Sequence, residues 1–309
     1  MSKKRIAAIF FVCAVGSQIG IPQQPVKAPF DVATAEAKAS QGDVAAMAKL
    51  GEAYWGKQGI PADIEKGKMW LNKAADAGSL EAQMFLGSAY LSGSQLPKDP
   101  KIAANYLLRA AQQQQPADPT LRGTQALAQY FVARLYEQGI GLEKSHEKAI
   151  EFLEKSADNG NYPAEFDLGV LYNDGKGGLV QDKAQACKLF EKAADQGHTM
   201  AMHNTGYCYQ SGVGAKKDLD KAIHYYSKAT EAGSVRSGHN LAMVYGELGE
   251  ADKAYFWLRM AQSSGHAEDP ALIETAKSHL SAAQVSEQEQ KLLVWKDAHP
   301  AKPSSNATQ

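Results

Sequence analysis

The sequence predicts an all-α solenoid. Three observations carry that expectation: one motif recurs six times at a nearly fixed step, its apolar positions fall at helical spacing, and a turn with a capping residue splits each copy. A periodic chain of this kind stacks helix pairs into an extended surface, which holds partners more often than it catalyses.

The first helix of each unit is anchored at Ala46, Ala82, Ala128, Ala164, Ala201 and Ser237, with steps of 36, 46, 36, 37 and 36 residues. Four and five residues later come Leu50-Gly51, Leu86-Gly87, Val132-Ala133, Leu168-Gly169, Thr205-Gly206 and Leu241-Ala242. Eight residues after each anchor stands Tyr54, Tyr90, Tyr136, Tyr172, Tyr209 or Tyr245. Offsets of 4, 5 and 8 share one helix face. The small residue admits a neighbouring helix, and the ring fills the space beside it.

A glycine-rich turn follows, as in Gly139-Ile140-Gly141 and Gly212-Val213-Gly214. Asp63, Asp99, Ser145, Asp182 and Asp218 then have the chemistry of an N-cap, and Pro100 suits a first helical position that needs no N–H. The second helix places a small residue (Gly67, Ala103, Ala149, Ala186, Ala222, Ala254) three before a large one (Trp70, Tyr106, Phe152, Leu189, Tyr225, Trp257). It closes at Gly78, Gly160, Gly197, Gly233 and Gly265; the second unit runs instead into Gln112 to Gln115.

This pattern, from about Gly42 to Gly265, resembles the Sel-one-like repeat, a relative of the tetratricopeptide repeat. The resemblance implies antiparallel helix pairs wound into a right-handed superhelix that serves as a protein-binding scaffold, adaptor or regulator. Two departures stand out: an insert at about 116–123 before the third unit, and a shorter turn, Gly246 to Gly249, in the sixth.

The ends read differently. Lys3-Lys4-Arg5, the apolar run Ile6 to Val15 and Ala14-Val15-Gly16 form the pattern of a secretory signal peptide over 1–16. The run is too short to span a bilayer; an uncleaved interfacial anchor, or a lipoprotein using Cys13, are the alternatives. A flexible leader is expected over 17–30, with Pro22, Pro25 and Pro29, and a capping helix over 31–42. Beyond the repeats (43–265), capping helices are expected over 266–299, as Pro270 to Leu280 and as Ser286 to Ala298 behind a capping box, then a disordered tail over 300–309.

Net charge is −1 with no basic cluster in the repeats, which argues against nucleic acid as a partner. The second helix of unit four carries Cys187 and the first helix of unit five Cys208; in an exported protein they would form a disulfide staple or remain two small buried thiols. No catalytic constellation is visible. His146-Glu147 lacks the second histidine of a zinc-protease helix, and Gly175-Lys176-Gly177-Gly178 lacks phosphate-loop spacing. His203 and His239 occupy equivalent positions, but a metal would need a third ligand; no metal or cofactor is expected.

In tetratricopeptide-like superhelices the first helices line the concave side, so positions two and six after each anchor should face it. The first column reads Ala48, Met84, Tyr130, Phe166, His203, His239; the second reads Glu52, Ser88, Arg134, Val170, Tyr207, Met243. Aromatic residues, Met and Arg are interface types, so a partner-binding groove is expected along Met84, Tyr130, Arg134, Phe166, Val170, His203, Tyr207, His239 and Met243. Burial of these columns as inter-repeat core is the competing reading. The expected protein is a monomeric, non-enzymatic scaffold of the bacterial periplasm or exterior. Its partner would be a protein: an envelope enzyme, a membrane sensor or a toxin. The alternatives are an immunity protein against a periplasm-acting toxin such as a phospholipase, a secreted host-interaction factor, and a β-lactam-binding protein.

Overall fold

The computed structural model describes residues 30–57, 59–265 and 269–298. The expected signal peptide, the leader except Phe30, Cys13 and the tail lie outside the described residues.

Fifteen α-helices account for the described fold. Helix α1 (Val32–Ser40) leads into six hairpins. These pair α2 (Val44–Glu52, continued by a π-helical turn at Ala53–Lys57) with α3 (Ile64–Asp76), and α4 (Leu80–Ser92) with α5 (Pro100–Ala111). Next come α6 (Pro119–Gln138) with α7 (His146–Asp158), and α8 (Tyr162–Asp174) with α9 (Lys183–Asp195). The last two are α10 (Thr199–Ser211) with α11 (Leu219–Glu231), and α12 (Val235–Glu247) with α13 (Ala251–Ser263). Helices α14 (Pro270–Ser278) and α15 (Ala282–Ala298) pack on α13. The whole is a right-handed α-solenoid. First helices of successive repeats touch, α4 with α6 and α10 with α12, which sets them on the inner side of the bend.

Local chemistry explains the elements. Asp63, Asp99, Ser145, Asp182 and Asp218 each accept a backbone N–H of the first turn of the second helix, as their spacing predicts. The backbone N–H of each of these residues also donates to the carbonyl of the tyrosine ending the first helix: Asp63 to Tyr54, Asp99 to Tyr90, Ser145 to Tyr136, Asp182 to Tyr172 and Asp218 to Tyr209. The turn is thereby tied at both ends. First helices are capped too, by Asp43, Ser79, Asp118, Asn161 and His198. Within a hairpin the glycine brings the helices together. A Cβ at Gly87 would lie 2.6 Å from Leu107 Cγ, and one at Gly206 would lie 2.6 Å from Tyr226 Cδ1. Leu50, Leu71, Leu86, Leu107, Leu241 and Tyr226 are fully buried, and each contributes on the order of 2 kcal/mol of hydrophobic stabilisation.

The insert takes on regular structure, and one expectation needs correction. Much of the insert is helical: Asp118 caps a helix with Pro119 at its first position, so α6 runs 20 residues against 13 in α4, α8, α10 and α12. The capping box of the last helix sits earlier than Ser286. Ser281 and Gln284 exchange bonds, the Gln284 amide to Ser281 Oγ at 3.3 Å and the Ser281 amide to Gln284 Oε1 at 3.0 Å, and the helix begins at Ala282. Two serines fit the box pattern; the earlier one encloses the larger apolar stripe.

Candidate interaction surface

A cavity of about 850 Å³ opens at the joint between repeats three and four. Ala133 on α6 and Ala149 and Leu153 on α7 form its floor. Phe166, Val170 and Leu171 on α8 form one wall, with Ile150 opposite. Arg134, Glu137, His146 and Asp167 stand at the rim, and the turn Lys176–Gly178 closes one end. A volume of this size lined mostly by apolar groups is the ordinary description of a binding pocket.

The turn accounts for the opening. In the neighbouring joints the second glycine of the turn is clamped on the preceding second helix: a Cβ at Gly141 would lie 2.0 Å from Pro100 O, and one at Gly214 would lie 2.1 Å from Lys183 O. At the joint with the inserted residue, the nearest atoms to a Cβ at Gly177 would be side chain rather than backbone, Ile150 Cδ1 at 2.9 Å and Leu171 Cδ2 at 3.8 Å. The apolar residue between the glycines elsewhere, Ile140 or Val213, is replaced by Lys176, which turns to Asp174 at 2.7 Å. One extra residue and one exchanged side chain leave this joint unfilled.

The rim is an ordered polar group. The Tyr130 hydroxyl donates to Asp167 Oδ2 at 3.0 Å, and Arg134 Nη1 lies 3.7 Å from the same oxygen. Burial, reinforced by the Asp167 charge, pushes the Tyr130 phenol up to about 12. On the opposite side His146 Nδ1 and Glu137 Oε2 are 2.8 Å apart.

The nine residues expected in one groove divide by column. Met84 is 9 % exposed and belongs to the core around Leu107 and Val132, which corrects its placement in the groove. It lies where α4 meets α6 directly, and the close approach leaves no open face. Tyr130, Phe166, His203 and His239 are half-buried in the joints. Phe166 packs on Phe190 and on His198, with ring centroids 5.8 and 4.4 Å apart. His203 Nδ1 meets Ser237 Oγ at 2.9 Å and its ring lies against Tyr226. Burial, followed by the Arg236 charge, lowers its pKa and favours the neutral imidazole. The second column stays open: Arg134 is exposed, Val170 is half-buried, Tyr207 is 55 % exposed and Met243 is 40 % exposed beside a smaller pocket formed with α14. Arg134, Phe166 and Val170 therefore share the cleft, whereas His203, Tyr207, His239 and Met243 lie farther along the inner face.

Sequence reasoning passed over Asp167, Ile150 and Leu171. Asp167 stands three residues after its anchor, in a column that changes from Phe85 and Phe131 to Asn204 and Asn240 and holds no other carboxylate, so periodicity alone did not mark it. Cys187 and Cys208 are joined as a disulfide between α9 and α10, with Cα atoms 6.1 Å apart. Among the described residues no group of three or more His, Cys, Asp or Glu side chains converges as a metal site, and no helix is long and apolar enough to cross a membrane.

Comparison with known proteins places this geometry. Over 96 residues the chain is 31 % identical to the alginate biosynthesis protein AlgK of Azotobacter vinelandii, a match covering 31 % of this chain and 18 % of that protein's length. A Sel1 repeat protein of Oxalobacter formigenes is 26 % identical over 76 % of this chain and all of its own, with a TM-score of 0.55. An immunity protein of Pseudomonas aeruginosa is 19 % identical over 89 % of this chain and 90 % of its own, and its TM-score of 0.35 carries nothing functional. The Sel1 repeat model matches residues 44–79, 80–114, 126–161, 163–198, 199–234 and 239–266. Six matched repeats, filling most of the chain and coinciding with the six helix hairpins, make this protein a member of the Sel1 repeat family.

Proposed function

We propose that the chain is a non-enzymatic scaffold of the bacterial envelope that grips a protein partner on its inner face, centred on the cleft between repeats three and four. The observation that carries the reading is the cleft itself: an open apolar joint of about 850 Å³, rimmed by Arg134 and Asp167, in a stack whose neighbouring joints are clamped by Gly141 and Gly214. An apolar anchor of the partner would fill the space beside Phe166, Val170 and Ile150, and Arg134 would pair with an acceptor at the rim. Export rests on the basic and apolar pattern of the first 16 residues. Partial likeness to a protein of alginate biosynthesis favours an adaptor within a biosynthetic assembly over a toxin antagonist.

Cross-linking capture from a periplasmic extract tests this, with wild type beside Arg134→Glu and Val170→Glu. Both variants must first melt within about 2 °C of wild type, as surface substitutions do. One dominant protein held by wild type and lost by both supports the cleft. A partner that stays bound to both removes it.

A further inference from the structure

The cysteine pair is peculiar to one joint of the stack. Cys187 follows the small residue of its second helix, where other repeats place Ala104 or Ile150. Cys208 stands seven residues after its anchor, where other repeats place Leu135 or Val244. Both are buried in an apolar cluster with Phe190, against Phe166 and Val170. Beside this cluster a pocket of about 490 Å³ opens between α9, the end of α10 and the turn into α11. Cys187 forms part of its wall and Cys208 does not. The sulfur faces the turn: Val213 O lies 3.3 Å from Cys187 Sγ, and a Cβ at Gly214 would lie 2.7 Å from it. Gly214 and Ala215 of that turn are walls of the same pocket.

The pocket is basic. Lys188, Lys216, Lys217 and Lys221 line it, against Glu191 and Asp218. Lys217 pairs with Glu247, and Lys221 Nζ donates to the Tyr209 hydroxyl at 2.9 Å and lies 3.6 Å from Glu191. Asp218 Oδ1 is occupied by the Lys221 amide. These two lysines recur in the stack, as Lys98 and Lys144 and as Lys66, Lys148 and Lys253. Lys188 and Lys216 do not. In the other repeats the first position holds Met69, Asn105, Glu151, His224 or Phe256, and the second holds Pro61, Pro97, Glu143, Val180 or Leu248. Both side chains are exposed, and neither makes a hydrogen bond or ion pair among the described residues. Next along the same elements, Lys183 and Asp220 carry opposite charges. Two uncommitted cations thus stand at the one joint that holds a disulfide. Such a setting draws in an anion, and a thiol held beside lysines ionises to the thiolate that attacks disulfides.

We propose that Cys187 is a thiol-exchange site for a small anionic thiol bound between Lys188 and Lys216. The incoming thiolate attacks Cys187 Sγ, a new S–S bond forms there, and the bond to Cys208 breaks. The electron pair leaves on Cys208 Sγ, which takes a proton from water. The incoming sulfur is oxidised and Cys208 is reduced, so no further oxidant or reductant enters. Access selects the sulfur attacked, because Cys187 alone of the pair lines the pocket. The inference stands apart from the protein-binding reading.

The test uses the purified oxidised protein and two small thiols of similar basicity, anionic 2-mercaptoethanesulfonate and neutral 2-mercaptoethanol. Opening of the disulfide is followed by acid quench and mass spectrometry, and each rate is expressed per thiolate. The sulfonate should react about tenfold faster, the low end of electrostatic enrichment in a charged cleft. The preference should vanish in about 0.5 M sodium chloride and in Lys188→Gln/Lys216→Gln, whose Tm should match wild type because neither lysine has a partner to lose. The position is read on Cys208→Ser and Cys187→Ser with the disulfide of the sulfonate thiol: Cys187 in the first should be capped about tenfold faster than Cys208 in the second. A sulfonate no faster than the neutral thiol, a preference that survives salt or the lysine substitutions, or equal capping of the two cysteines would each overturn the proposal. So would opening at a rate independent of thiol concentration, which would mean that exchange waits for unfolding.

Discussion

The hydroxyl of Tyr130, on the first helix of repeat three, donates to the carboxylate of Asp167, on the first helix of repeat four, at 3.0 Å. This bond crosses the joint that holds the cleft, and it ties the rim without filling the cavity. Arg134 shares the same carboxylate oxygen from an exposed position and so contributes little on its own. Tyr130→Phe should cost about 1 kcal/mol, the ordinary worth of one such bond. The pH dependence has a definite sign. A phenol raised to about 12 favours folding fully below its unfolded value near 10, and that contribution is lost as pH rises between them. Melting curves from pH 9 to 12 should fall more steeply for wild type than for Tyr130→Phe; parallel curves would show that the bond is not formed in solution.

Glu165 occupies a position where the two preceding repeats have Gln83 and Gln129. It is 3 % exposed and accepts a hydrogen bond from Gln196 Nε2 at 2.8 Å. Burial raises its pKa, and the Lys192 charge and the Gln196 bond offset this only in part. For a carboxyl raised in the fold, stability is fully present below the unfolded value and is lost as pH rises through the folded one. Glu165→Gln should therefore raise Tm at pH 7, and the gain should shrink as the pH falls toward the usual carboxylate range. A gain that is constant with pH would mean that the carboxyl is charged throughout.

The disulfide between Cys187 and Cys208 closes a short loop, a sequence separation of 21 residues, across the joint of repeats four and five. Chain-entropy reasoning assigns a loop of that size about 3 kcal/mol. Because a solenoid repeat leans chiefly on its neighbours, the loss should be local. Hydrogen exchange of α9 and α10 should accelerate in Cys187→Ser/Cys208→Ser, while α2 to α5 should be unaffected. Equal exchange in both proteins, or free thiols in the purified wild type, would remove the staple from the account of stability.

How much was legible depends on whether a residue's task repeats. Asp63, Asp99, Ser145, Asp182 and Asp218 perform the same capping in the first five copies, so one sequence supplies several observations of one rule, and the fold could be read. Tyr207 and Met243 could be read as solvent-exposed for the same reason. The cleft could not. It arises from a single departure, the residue inserted at Gly175–Gly178, and from the side chain of Lys176 standing where Ile140 and Val213 stand elsewhere. Met84 was misplaced because a two-residue offset from the anchor points along the joint rather than away from it, and how closely α4 meets α6 is a tertiary matter that no spacing encodes.

The same departure yields a comparison between two glycines. Gly141 and Gly177 both have positive φ, 70° in each case, so replacement by alanine carries a similar backbone penalty of about 1 kcal/mol at either site. Their surroundings differ. At Gly141 the new methyl would meet the Pro100 carbonyl at 2.0 Å, an oxygen in the first turn of α5 that cannot withdraw without moving the helix. At Gly177 it would meet the far end of Ile150 at 2.9 Å, beside an open cavity into which that side chain can rotate. Gly141→Ala should therefore lower stability by several kcal/mol and loosen the joint of repeats two and three, whereas Gly177→Ala should cost about 1 kcal/mol. Urea titration of both variants decides the matter. Equal losses would mean that the joint of repeats three and four is clamped like its neighbours, and the cleft would then be closed in solution.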